Sequence, residues 1–365
     1  MPITIGKIEL YFGPVELGQP DNLETVIIDF INGSKKVLHI AVQELDNENI
    51  ARAIIEAHKR DVKVVLIMEF DYLTVKKALD DPWKEPKEDE VKNVENEPNR
   101  KIYSAMLRAK VDIRSDTNPK IFHQKFIVRD PESPTAAVLT GSTNFTDTDT
   151  HKNLNHIVII HSEKVAHVYE REFEEMRTGN FGLYRDRYYP RPSEIKVSGV
   201  RLKILFAPDH SPEMEIMKQM LKAKSQIDFA IFTFAKSSGI DDTMLALQKA
   251  KINIRGIFDE GQGNQEWSST RILPAGDIKV YLASKNPKLR KLHHKLMVID
   301  KQTVIAGSFN YTDPANTLND ENIIIIGDTE ETDAAALGSQ SQLGAYAFDM
   351  IDKMINDFGV EVKKE

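Results

Sequence analysis

Residues 122–160 read FHQKFIVRDPESPTAAVLTGSTNFTDTDTHKNLNHIVII, and residues 292–326 read LHHKLMVIDKQTVIAGSFNYTDPANTLNDENIIII. Each stretch gives His-x-Lys, an Asp five residues after the Lys, a Gly-Ser-x-Asn, and a closing apolar run. The first carries His123, Lys125, Asp130, Gly141, Ser142 and Asn144. The second carries His293, Lys295, Asp300, Gly307, Ser308 and Asn310. Asp to Gly spans seven positions in the second copy and eleven in the first. The turn DPESPTAA absorbs the difference as a longer hairpin loop and leaves both flanking strands intact.

The repeat extends outward from these blocks. KIELYFGPVELGQPDNLETVIIDFINGSKKVLHIAVQELDN and RLKILFAPDHSPEMEIMKQMLKAKSQIDFAIFTFAKS both read as strand, helix, strand. A helical stretch follows in each (ENIARAIIEAHKR, DDTMLALQKA), then an apolar strand (VKVVLIMEF, INIRGIFDE). Strands alternating with patterned helices argue for α/β layers. The His-x-Lys strand and its successor read as a hairpin, so the sheets are expected to be mixed. The spacing predicts two homologous α/β domains, residues 1–185 and 196–365, each a mixed sheet flanked by helices and related by a pseudo-two-fold. Residues 181–200 are read as the linker because of their prolines and polar residues. The stretch EKVAHVYEREFEEMRTG has helical period. ETDAAALGSQSQLGAYAFDMIDKMINDFG also reads as helix, weakened at its Gly and Ser residues.

Side chains two apart on a strand share a face. His123 and Lys125 therefore point one way, as do His293 and Lys295, while His294 turns to the other side. Ser and Asn beyond the Gly turn can join them from the neighbouring strand. Two such halves would frame one tetrahedral phosphate. The lysines and asparagines would stabilise its oxygens. One histidine would attack phosphorus, and the other would protonate the leaving oxygen. A bell-shaped pH profile belonging to the pair is expected.

This pattern resembles the phospholipase D superfamily, with its HxKx4D signature followed by Gly-Ser and Asn, over most of both halves. The resemblance implies a phosphodiesterase that works without a metal or other cofactor through a phosphohistidine. The implied catalytic residues are His123, Lys125, Asn144, His293, Lys295, Asn310 and Glu321, with Ser142, Ser308 and Asn155 binding substrate. Asp130 and Asp300 are read as structural. Fourteen residues after each motif glycine lie Asn155 and Glu321. In the superfamily the polar residue there orients the histidine of the opposite half. Glu321 would then serve His123 as nucleophile, and the neutral Asn155 would serve His293 as general acid. The tyrosyl-DNA phosphodiesterases look similarly asymmetric.

Substrate is the thinnest part of the reading. The chain is close to two minimal cores, with little length for lipid-binding loops. EFEEMRTGNFG and GSTNFT…NLNH resemble the nuclease-like branch. Nucleic acid is the expected substrate, and the alternative is a soluble lipid phosphodiesterase with Trp83, Trp267, Tyr188 and Tyr189 at the mouth. Lys285, Lys288, Arg290 and Lys291 either line a basic approach to His293 or form a solvated loop. His151, His156, His161 and His167 fit no standard zinc spacing and no acidic ligands accompany them, so they read as ordinary surface or core residues. Residues 80–99, with eight acids and three bases, are either a solvated loop or a lid.

Composition sets outer limits. The chain has 365 residues, 41% hydrophobic and 28% charged, with no cysteine, which rules out disulfides and thiolate metal sites. A net charge of −8 argues against a wholly basic surface but leaves room for a basic groove. No signal peptide or membrane span is apparent, so a cytoplasmic location without stable membrane insertion is expected.

Overall fold

The computed structural model describes residues 2–74, 96–184 and 191–364. In the first half the strands are β1 (Ile3–Ile5), β2 (Ile8–Gly13), β3 (Val37–Val42), β4 (Lys63–Met68), β5 (Asp112–Ser115), β6 (Lys125–Arg129), β7 (Ala137–Gly141) and β8 (Asn153–Ile160). In the second they are β9 (Ser193–Val197), β10 (Val200–Ala207), β11 (Gln226–Ile231), β12 (Asn253–Asp259), β13 (Lys279–Ala283), β14 (Lys291–Leu292), β15 (Lys295–Ile299), β16 (Thr303–Gly307), β17 (Glu321–Ile326) and β18 (Gly359–Glu361).

The first sheet runs β1-β2-β8-β7-β6-β3-β4-β5, and the second runs β9-β10-β17-β16-β15-β11-β12-β13-β18. The two paths match strand for strand up to β18. In each, the strands of the strand–helix–strand repeat are parallel (β3 with β4, β11 with β12), and the His-x-Lys hairpin adds antiparallel strands. The sheets are therefore mixed, as the repeat implies. The halves also exchange short segments: β14 pairs with β8 of the first sheet, and Phe122 makes the matching parallel bridge to Asp320.

The central strands are apolar on both faces because helices cover both faces. Helix Glu48–Lys59 shows how the sequence arranges this. Asn47 accepts the Ile50 amide as an N-cap, and Ile50, Ala51, Ile54 and Ala57 form a buried stripe. Such helices make a separate outer core for each half. The inner faces meet in one shared core that draws Leu10, Phe126 and Val158 from the first half and Leu202, Leu296 and Ile324 from the second. Helices Glu163–Arg177 and Ala334–Phe358 lie in this central layer, and each also touches the other half's sheet.

The C-terminal helix is continuous through the glycines that weaken it in sequence. At Gly344 an added Cβ would stand 2.3 Å from the Lys301 carbonyl oxygen, so glycine is what lets the helix press on the β15–β16 turn. Asp130 and Asp300 occupy equivalent turns. Each accepts three backbone amides, from Lys35, Lys36 and Val37 and from Lys224, Ser225 and Gln226, and so ties its hairpin to the start of β3 or β11. Their structural reading agrees with this placement.

The linker expectation needs correction. Residues 193–197 form β9, paired with β10 on the sheet edge, so a second domain beginning at 196 would cut a strand. Prolines at 190 and 192 drew the linker reading past the alternating run SEIKV that follows them. Most of the acidic stretch 80–99, with Trp83, Tyr188 and Tyr189, lies outside the described residues, and 97–99 open a helix ending at Arg108.

Ile324 is fully buried where the two inner faces meet. Ile324→Ala should lower unfolding free energy by about 2–5 kcal/mol, as for other large-to-small core changes, with an unaltered denaturant slope. Urea denaturation followed by circular dichroism would show this, and a loss under about 1 kcal/mol would argue against tight inter-half packing there.

Candidate active site

The site is built by an exchange between the halves. The segment leading into each His-x-Lys strand leaves its own sheet and pairs with the strand that carries Asn155 or Glu321 in the other half. His123 N donates to Asp320 O, and His293 N donates to Leu154 O, both at 2.9 Å. A buried carboxylate holds the preceding residue in each case: Glu69 accepts Phe122 N, and Asp259 accepts Leu292 N. This crossing brings each histidine against the opposite half's polar residue.

His123 Nδ1 lies 2.6 Å from Glu321 Oε2, which also accepts Ser308 Oγ at 2.6 Å. His293 Nδ1 lies 3.1 Å from Asn155 Oδ1, which accepts Ser142 Oγ at 2.8 Å. The serine hydroxyls in turn accept the amides of His156 and Asn322. Gly141 and Gly307 make the turn possible, since a Cβ on either would meet the His156 or Asn322 carbonyl oxygen at 2.3 Å. Ser142, Ser308, Asn155 and Glu321 are thus fully buried behind the histidines and hold them, which differs from the substrate-binding placement expected for the serines and Asn155.

His123, His293, Asn144 and Asn310 line one cleft of about 400 Å³. The side-chain oxygens of both asparagines have no hydrogen-bond partner among the described residues. Lys125 and Lys295 lie buried beside the histidines. Lys125 Nζ donates to Gln43 Oε1 and to His123 O, and Lys295 Nζ donates to His293 O. Where Gln43 follows β3, Phe232 follows β11. The Phe232 ring lies 4.9 Å beneath Lys295 Nζ and packs its edge against His293.

Burial governs the protonation states. It pushes Glu321 up to about 8, against the pull of Lys125 and Lys295, and pushes His123 well below its ordinary value, a shift both lysines reinforce. Once Glu321 is ionised, a proton on Nδ1 donated to its carboxylate leaves the Nε2 lone pair of His123 free. His293 is pushed down to about 4, first by burial and then by Lys295, while Asp149 pulls it back up. Burial also lowers both lysines, Lys125 to about 8. An anion in the cleft would oppose the lowering of the histidines and lysines by favouring their cationic forms.

Sequence reasoning missed Asp149, whose Oδ2 is 3.4 Å from His293 Nδ1. It also missed the acidic wall. Glu44 and Asp46 line the cleft with Asp149. Their oxygens do not converge as a ligand set; among the described residues the converging groups are His39, Glu170, Glu174 and Glu132, Glu163, His167. The second group corrects the statement that the histidines lack acidic neighbours, because the β6–β7 turn folds Glu132 beside the helix carrying His167. Arg290 and Lys291 line the cleft, whereas Lys285 and Lys288 are exposed and absent from its lining. Trp267 also lies outside the lining.

The comparisons with known proteins fit this geometry. A family model described as cardiolipin synthase, PLD-like domain, matches residues 27–177 and 216–337. The chain belongs to the phospholipase D superfamily. A phospholipase D of Rickettsia conorii is 30% identical over 135 residues, 37% of this chain and 66% of that protein. A mitochondrial cardiolipin hydrolase of Xenopus laevis is 25% identical over 180 residues, 48% of this chain and 73% of that one. The crystal structure of phosphatidylserine synthase from Haemophilus influenzae Rd KW20 superposes with a TM-score of 0.66 and 13% identity, covering 97% of this chain and 88% of that chain, a likeness of fold. Within this superfamily frame, a phosphodiesterase-type enzyme is the supported class.

Just behind the site the halves are locked by two equivalent contacts of different chemistry. Gln124 Oε1 accepts Asn322 Nδ2 at 2.7 Å; in the equivalent place His156 Nδ1 and His294 Nδ1 are 3.0 Å apart, their rings stacked. His156 Nε2 accepts Gly307 N, so its proton sits on Nδ1 and is donated to His294. His294 thus faces away from the cleft, as its neighbour's position requires.

Burial pushes His156 down to about 3, with Lys295 and His293 adding to the effect, and pushes His294 well below its ordinary value, with His156, Lys295 and His293 adding to it. A histidine held neutral this way stabilises the fold above its unfolded value near 6.5 and loses that contribution as pH falls below it. At pH 5 the loss is about 2 kcal/mol for each such ring. The variant His156→Asn/His294→Gln copies the amide lock of the other half. Its urea midpoint should fall less between pH 8 and pH 5 than that of the parent chain; equal falls would show that this pair does not control acid sensitivity.

Proposed function

We propose that the chain hydrolyses phosphodiesters without a metal, through a phosphohistidine on His123. The observation that carries this is one cleft lined by two histidines, each held at Nδ1 by the opposite half. His123 Nε2 attacks phosphorus while the bond to the leaving oxygen breaks, and His293 gives that oxygen its proton. Water then enters, loses a proton to His293 and displaces His123, restoring both rings. Lys125, Lys295, Asn144 and Asn310 supply the positive and donor groups for the non-bridging oxygens, a part that Mg²⁺ plays in other phosphoryl-transfer enzymes. Glu321 distinguishes the two histidines: its hydrogen bond to His123 is the shorter, and its charge stabilises the cationic phosphohistidine.

For substrate we favour nucleic acid. Arg290 and Lys291 extend the cleft on the His293 side and fit a second phosphate of a polynucleotide. A lipid phosphodiester is the second reading, supported by Ile121, exposed in the cleft lining two residues before His123, and by the names of the relatives.

Assays on single-stranded DNA, RNA and phosphatidylcholine vesicles, each with excess EDTA, test both levels. Cleavage should persist with EDTA. Loss that Mg²⁺ restores would refute the mechanism, and cleavage of vesicles alone would refute the nucleic-acid assignment. His293→Ala should accumulate a covalent adduct from a substrate with a good leaving group, and His123→Ala should form none; the reverse pattern would exchange their roles.

A further inference from the structure

The halves solve one problem in two ways. At the strand position fourteen residues after the motif glycine, the second half places Glu321 and the first places Asn155. Eight residues after that glycine, in the short helices Asp147–His151 and Asp313–Thr317, the first half places Asp149 and the second places Ala315. The carboxylate missing from the first strand is therefore present on the first helix.

Asp149 is 3% exposed, and both of its oxygens are fixed. Oδ2 accepts Asn144 N at 2.7 Å and lies 3.4 Å from His293 Nδ1; Oδ1 accepts Asn153 Nδ2. The residue equivalent to Asn153 is Asn319, whose Nδ2 points to Glu321 Oε1 at 3.4 Å. The supporting asparagine keeps its position in both halves and serves whichever carboxylate is there.

We propose that Asp149 is the positioning carboxylate of His293, sharing the Nδ1 proton with Asn155 as Glu321 takes that of His123. The ring is held with Nε2 toward the cleft, and its cationic form is stabilised from behind. This amends the expectation that a neutral amide alone faces His293. The groups acting on His293 are Lys295 and Lys125, which oppose its charge, and Asp149, which favours it. Removing the Asp149 charge therefore makes His293 harder to protonate and moves the alkaline limb of the pH profile down.

This inference rests on the phosphohistidine reading with His293 as proton donor. Bis(p-nitrophenyl) phosphate needs little help from an acid to release its phenolate, whereas an alkyl phosphodiester needs it fully. Asp149→Asn should lower steady-state cleavage of an alkyl diester at least ten-fold more than it lowers the p-nitrophenolate burst, and should shift the alkaline limb to lower pH. Asp149→Asn/Asn155→Asp, which returns a carboxylate to the strand, should restore the limb and most of the rate. A loss equal for both substrates with an unmoved limb would reduce Asp149 to an anchor for the Asn144 amide. Should Asp149→Asn not fold, the limb of the double variant decides: at the wild-type position it supports the assignment, displaced it overturns it. Release of p-nitrophenolate by His123→Ala at the wild-type rate would instead overturn the phosphohistidine reading itself.

Discussion

The exchange of lead-in segments between the halves is the constraint from which the site follows. Two backbone hydrogen bonds, His123 N to Asp320 O and His293 N to Leu154 O, set each His-x-Lys strand against the other half's closing strand. The Nδ1 contacts need that register, because a one-residue slip would turn every side chain to the opposite face. The shared core holds the sheets close enough for the crossing to occur. Burial at the crossing also displaces the titration of the histidines and lysines, so packing and chemistry have one cause here.

Within that symmetrical frame the two sides have diverged in their polar groups. Gln43 faces Lys125 where Phe232 faces Lys295. A glutamate on a strand holds one ring, and an aspartate on a helix lies behind the other. A two-step reaction needs one histidine as nucleophile and the other as proton carrier, and equal surroundings could not bias the choice. Glu44, Asp46 and Asp149 line the cleft together with Arg290 and Lys291, and Arg290 donates to Thr148 beside Asp149, so a substrate meets both signs of charge there.

Much of this was legible in the sequence. The repeat of His-x-Lys and Gly-Ser-x-Asn exposed the two-fold architecture and the converging groups, because strand periodicity fixes which side chains share a face. The fourteen-residue spacing singled out Asn155 and Glu321. Asp149 escaped because comparing the halves position by position rewards matches, and its counterpart Ala315 carries no chemistry. The pairing of His156 with His294 also escaped: nothing local indicates that residues 138 apart stack across an interface. β9 was hidden by the prolines before it, and Gly344 looked like a helix weakness until its neighbour in the β15–β16 turn was known. What stayed hidden is long-range proximity.

The crossing has a temporal consequence during synthesis. As the ribosome finishes residue 185, the first half already contains His123, Lys125 and Asn144, but the backbone that orients His123 has not been translated. The first block gains its partner only when Asp320 and Glu321 emerge, Glu321 lying 198 residues after His123. A nascent product that stops between the two blocks therefore holds half of a catalytic machine with its histidine unheld, and the capacity to cut phosphodiesters is withheld until the second block has been made.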